Sequence, residues 1–111
     1  MIDLYDFGKI VIDGKEYTED VIIVEGKVHP NWWRKQSHFL LKTELGPILK
    51  AKIHTLIIGI GHNGVMKVGG DVKEYCRMNE IKLIELWSKE AVDKYNEIAG
   101  EGVALAIHLT C

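Results

Sequence analysis

The run Ile53-His54-Thr55-Leu56-Ile57-Ile58 feeds directly into Gly59-Ile60-Gly61-His62-Asn63-Gly64, and no other stretch of the chain restricts the fold so tightly. A short aliphatic, β-branched run bounded by glycine reads as a buried strand. The spelling G-x-G-x-x-G describes a backbone built for close approach, because glycine reaches positive φ cheaply and carries no side chain. A dinucleotide fingerprint of this spelling opens a helix inside a large doubly wound sheet. Here Val65-Met66-Lys67-Val68 follows as a short strand, and 111 residues are too few for the usual two halves. The run is therefore a tight turn against a neighbouring backbone, placed at a strand end where open α/β sheets also bind ligands.

The elements around it alternate. Phe7 to Tyr17 reads as a hairpin about Asp13-Gly14, and Val21-Ile22-Ile23-Val24 with Lys27-Val28-His29 as a second about Glu25-Gly26, stopped by Pro30. An irregular segment runs from Asn31 to His38, and a weak helix over Thr43 to Ala51 has Pro47 in its first turn. Asp71-Val72-Lys73-Glu74 has capping-box spacing and starts a helix to about Asn79. Ile81 to Leu86 is a strand, and Ser88 caps a helix whose Ala91, Val92, Tyr95, Ile98 and Ala99 form one apolar stripe ending at Gly100. Val103 to Leu109 is the final strand. Strand, helix, strand, helix, strand implies right-handed crossovers and a largely parallel core sheet.

Composition sets outer limits. The chain is 47% hydrophobic and suits one domain spanning residues 1–111. A net charge of -2 and the absence of a basic patch argue against nucleic acid. Cys76 and Cys111 are too few for a disulfide framework, so a reducing, cytoplasmic setting is expected. No apolar run approaches the ~20 residues of a membrane span.

From Phe7 to Cys111 the sequence resembles the adipogenesis-associated domain family, whose relatives include the mitochondrial complex I assembly factor 3. The motifs that carry this are Phe7-Gly8-Lys9-Ile10-Val11-Ile12-Asp13-Gly14-Lys15-Glu16-Tyr17, Trp32-Trp33-Arg34, Leu56-Ile57-Ile58-Gly59-Ile60-Gly61, Glu90-Ala91 with Tyr95-Asn96, and His108-Leu109-Thr110-Cys111. The resemblance implies an α/β fold: a small three-layer β+β/α domain with a mixed central sheet and an N-terminal β-hairpin region. It implies no established reaction. Ile60 stands where relatives often carry Thr, and Glu101-Gly102 occupies a usually basic approach to the last strand.

Several residues carry chemistry worth placing. Arg34 is one of two arginines in a lysine-dominated chain, so its planar fork suggests a bidentate or stacked role, and Trp33 beside it offers an aromatic face. One of Trp32 and Trp33 is expected in the core. The five histidines lack metal spacing, and no metal or cofactor is expected; His54 and His108 fall in predicted strands, whereas His62 lies inside the glycine turn. Cys111 acts as a nucleophile only with a neighbouring base or cation, such as His62 or Arg34, and is otherwise a small buried hydrophobe. That proximity requires the strands before Gly61 and Thr110 to be parallel neighbours. Cys76 reads as core.

Two functions follow. The first is a protein-interaction or assembly-factor-like module with a protein partner, with exposed edge strands that also suit a homodimer. The second is a small anionic ligand site, catalytic or not, with ligand-binding candidates Trp33, Arg34, Gly59, Gly61, His62 and Thr110 and catalytic candidates Cys111 and His62.

Overall fold

Continuous burial along two neighbouring strands organises the chain, whose computed structural model describes residues 1–111. The strands carrying that pattern are β7 (Thr55–Ile60) and β10 (Val103–His108), which pair in parallel from Val103 opposite Thr55 to His108 opposite Ile60. Leu56, Ile58, Ala104 and Ala106 face one side, and Ile57, Val103, Leu105 and Ile107 the other. Both faces are therefore apolar, as a sheet covered on both sides requires.

Three more strands complete the central sheet. β9 (Lys82–Leu86) adds in parallel beyond β7, while β4 (Val21–Val24) and β5 (Lys27–His29) form an antiparallel hairpin beyond β10. The order is β5-β4-β10-β7-β9, so the sheet is mixed, with its parallel part confined to three strands. The β4–β5 turn sits at Glu25-Gly26, both at positive φ, as the dipeptide predicts.

On one face lie α3 (Ser88–Ile98) and a three-stranded antiparallel sheet of β1 (Ile2–Asp6), β2 (Lys9–Ile12) and β3 (Lys15–Tyr17). Ile2, Ile10 and Ile12 pack with Ala91, Val92 and Tyr95 against the odd-numbered strand residues. On the other face a 3-10 turn (Lys42–Leu45), the short α1 (Gly46–Leu49) and α2 (Gly70–Met78) cover the even-numbered ones through Leu45, Ile48, Val72 and Cys76. β6 (Phe39–Leu40) and β8 (Lys67–Val68) pair in parallel beside them. This is the three-layer arrangement expected, and no helix in it is long and apolar enough to cross a membrane.

Local corrections have identifiable causes. β1 and β6 go beyond the expected elements: β1 shows no clean alternation because Leu4 is exposed at a bulge against β2, and β6 is two residues long. The expected helix over Thr43 to Ala51 is a 3-10 turn followed by one α-helical turn, with Pro47 at its start. The short strand expected from Val65 begins at Lys67. Asp71 does not cap α2; Gly69 holds that position, and the Asp71 carboxylate instead accepts from the Lys42 amide at 3.0 Å. Ser88 does not cap α3 either. Trp87 does, and the Ser88 hydroxyl is wholly buried, engaged with the ends of two strands. His54 lies in the bend before β7 rather than in the strand.

Candidate functional site

The carboxyl ends of β7 and β10 meet at one end of the sheet, because parallel neighbours in register finish together. Gly61, at φ 111°, turns the chain there, and a Cβ on it would collide with the Cys111 carbonyl group. Only glycine fits. The amides beyond it are all engaged. Gly61 donates to Ser88 Oγ at 2.9 Å, His62 to the Thr110 carbonyl at 2.7 Å, and Asn63 and Val65 to the Cys111 carbonyl at 3.3 and 3.1 Å. Gly59 is required for a second close approach, since a Cβ there would lie 2.7 Å from Ile107 and 3.0 Å from Ser88 Oγ.

The His62, Asn63 and Val65 amides thus grip the Thr110-Cys111 backbone, the Gly61 amide is bonded to Ser88, and none of them is open to an anion. The adjacency of Gly61 and Cys111 that depended on parallel neighbouring strands is present. It is a backbone contact, and the Cys111 residue is exposed rather than a buried small hydrophobe. His62 is exposed as well. Its Nδ1 lies 3.1 Å from the Tyr5 hydroxyl, which donates to the Leu109 carbonyl at 3.3 Å, so we assign the Nδ1 proton to the bond with the Tyr5 oxygen. Burial pushes the Tyr5 hydroxyl pKa up, keeping it a donor. Phe7 meets the His62 ring edge-on with centroids 5.4 Å apart. Trp87 lies against Gly64, and Phe7, Val65 and Trp87 are 51%, 40% and 53% exposed around this turn.

A second group of side chains lies beside it, beyond β10. Arg34 is 7% exposed, its guanidinium stacked 4.4 Å from the Trp32 ring centroid. Nη2 donates to Asp20 Oδ2 at 2.8 Å and to the Ser37 carbonyl at 3.1 Å. His108 Nδ1 lies 2.8 Å from the same Asp20 oxygen and 3.0 Å from Nη2. One nitrogen cannot both donate to the carboxylate and accept from arginine, so we assign its proton to the Asp20 bond and treat the Nη2 approach as close packing. Asp20 Oδ1 accepts from the Leu109 amide at 2.7 Å. Burial opposes the ionisation of Asp20, but the bonds from His108 and Leu109 and the charges of His108 and Arg34 outweigh it and hold the carboxyl below its ordinary range.

Trp33, Arg34, Ser37, His108 and Thr110 line, with Asp20, a cleft of about 290 Å³. The expected ligand residues therefore divide. Trp33, Arg34 and Thr110 converge on the cleft, whereas Gly59, Gly61 and His62 build the turn; Thr110 belongs to both through its carbonyl. Trp32 is the core tryptophan and donates to the Glu44 carbonyl at 2.7 Å, leaving Trp33 76% exposed. Cys76 is buried as expected. Glu101-Gly102 precedes β10, at the opposite end of the strand. Asp20, Ser88 and Tyr5 join the site without a motif to announce them, and only the Glu19-Asp20 pair ahead of the apolar Val21–Val24 run hints at Asp20.

Comparison with known proteins gives the same architecture. A family model described as a protein of unknown function (DUF498/DUF598) matches residues 2–109. The conserved hypothetical protein PH1505 from Pyrococcus horikoshii OT3 superposes with a TM-score of 0.85 at 27% identity, over 100% of this chain and 99% of that one. The solved structure of MT938 superposes with a TM-score of 0.80 at 30% identity, over 100% of this chain and 98% of that one. A Mth938-like domain protein from Bordetella pertussis shares the fold at a TM-score of 0.68 and 16% identity, over 98% and 85%. The family resemblance drawn from the motifs is the one these matches support.

Proposed function

Because the chain belongs to this family, whose description names no reaction, we propose that it is a protein-binding module of assembly-factor type, docking a partner on the rim of the glycine turn. The observation carrying this reading is Phe7 packed on His62 and Trp87 packed on Gly64, with Val65 exposed next to it, around a turn whose own amides are already bonded. Apolar and aromatic side chains half exposed in one patch, with the backbone beneath them internally satisfied, suit burial against a protein surface, where tryptophan commonly supplies the anchor. The partner is a protein that presents apolar side chains to this rim.

The test compares capture from a source lysate by the wild-type chain and by a Phe7→Ser, Trp87→Ser double variant of unchanged melting temperature. The expected result is one stoichiometric partner retained by the wild type and lost by the variant. Equal retention by both, or no stoichiometric partner under mild salt, would overturn the docking face.

A further inference from the structure

The backbone groups of β9 face two ways. Lys82 donates to the His54 carbonyl at 2.8 Å and Ser88 to the Gly61 carbonyl at 3.0 Å, so Lys82, Ile84 and Leu86 turn their N–H and C=O groups toward β7. The residues between them point those groups the opposite way. Leu83 and Glu85 therefore present theirs beyond the sheet, where β9 is the last strand and no hydrogen bond within the chain reaches them. The other edges are sealed or short. The Asn96 side chain accepts from the Ile2 amide at 2.9 Å and donates to the Ile2 carbonyl at 2.8 Å, closing that end of β1, and β3 and β5 are 3 residues each. β9 runs for 5 residues with Leu83, Ile84 and Leu86 only half-buried along it. Such an edge is a template for another strand.

We propose that β9 pairs antiparallel with β9 of a second copy of this chain, across a two-fold axis at Ile84, joining the two central sheets into one. Under that axis Leu83 of each copy lies opposite Glu85 of the other, and each such pair exchanges both of its N–H···O=C bonds. The edge is its own complement, as an isologous interface requires. Neighbouring registers fit less well. An axis at Leu83 sets Ile81 opposite Glu85, but the Ile81 amide is already given to the Cys76 carbonyl at 2.8 Å. An axis at Glu85 places two carboxylates directly opposite each other, which destabilises a cross-strand pair. With the axis at Ile84 the two Ile84 side chains meet on the α3 face, and Leu83, on the α2 face, lies against the stem of Glu85 of the second copy. The two Glu85 carboxylates are then diagonal neighbours, and physiological salt screens them. This surface is separate from the docking rim, since a variant at Glu85 leaves Phe7 and Trp87 in place.

The experiment pairs sedimentation velocity of the purified chain, from about 5 µM to about 1 mM in physiological salt, with amide hydrogen exchange over the same range. The mass should rise toward two chains while exchange slows at Leu83 and Glu85 and stays unchanged along β3 and β5. In a mixed-label sample, an isotope-filtered NOE between the Ile84 side chains of two copies should appear. Glu85→Pro removes an outward N–H without touching the ladder to β7, where an edge strand tolerates proline, and should weaken self-association about tenfold or more. A single chain throughout the range would overturn the proposal. So would a dimer whose Leu83 and Glu85 amides exchange as in the monomer, or one that Glu85→Pro leaves intact, since either places the contact on another face. A chain that stays monomeric alone but gains protection at both amides when a captured partner is added would replace the second copy with a foreign strand. Where Glu85→Pro does not fold, the exchange pattern and the NOE of the wild type decide.

Discussion

The Ser88 hydroxyl accepts the Gly61 amide proton at 2.9 Å and donates its own to the His108 carbonyl, so one buried oxygen ties α3 to the ends of two parallel strands. Nothing else satisfies the Gly61 amide. Ser88→Ala should therefore destabilise the fold by about 2 kcal/mol, the range for leaving a buried polar group unpaired. Urea denaturation measures this, and a change below about 0.5 kcal/mol, the scale of a neutral surface substitution, would deny the hydroxyl its bridging role.

Gly61→Ala should be worse locally than globally. The residue sits at φ 111°, where a side chain is strained, and its Cβ would overlap the Cys111 carbonyl. The expected outcome is detachment of Thr110-Cys111 from the turn, at a cost of about 1–3 kcal/mol for the backbone strain. Hydrogen exchange should accelerate at the His62 and Val65 amides while the β7 and β10 ladder stays protected. Uniform acceleration would mean that the turn and the sheet open together.

The two adjacent tryptophans should behave oppositely. Trp32 is 9% exposed and packs in the core, so Trp32→Ala should cost about 3–5 kcal/mol. Trp33→Ala should fall within about 0.5 kcal/mol of wild type, as for an exposed position. A pair of thermal melts checks both, and comparable losses would contradict the assigned orientations.

Asp20 gives the fold an acid-side dependence. Its folded pKa is depressed below the unfolded value near 3.9, so its contribution is complete above that value and is lost as pH falls through the folded pKa. Asp20→Asn should remove this component of the acid loss. At neutral pH it should also destabilise by about 3–5 kcal/mol, because the buried Arg34 charge is left uncompensated. Stability against pH for both chains provides the measurement. Parallel curves below pH ~4 would show that Asp20 is not the titrating group.

What the sequence made legible is what repeats locally. Ile57 and Ile58 announce a strand covered on both faces, the Asp13-Gly14 and Glu25-Gly26 pairs announce their turns, and Ala91, Val92 and Tyr95 announce the buried face of α3. The glycine run announces a close approach without saying what approaches, and its partner is the Cys111 backbone, 50 positions further along the chain from Gly61. Arg34 is legible as unusual. Its partners are not, because Asp20 lies 14 residues away across the β4–β5 hairpin and His108 lies 74 away, reached through the pairing of β4 with β10. Ser88 misleads for a related reason. A serine at a helix start is ordinarily a cap, and nothing in the nearby sequence reveals that two strand ends compete for its hydroxyl.

The position of β10 between β4 and β7 also shapes the route to the folded state. The β4–β5 hairpin and the β7-α2-β9 crossover are each continuous in sequence and can organise early, but neither touches the other in the sheet. Residues 103–108 are the seam that joins them. Folding to the native sheet therefore waits on a distant segment threading between two preformed halves, a high-contact-order step that belongs to the slower, millisecond-to-second class of small-domain kinetics. Until that seam closes, β4 and β7 each present an unpaired apolar edge, which makes the interval before β10 docks the period in which the chain is most prone to pair with another molecule.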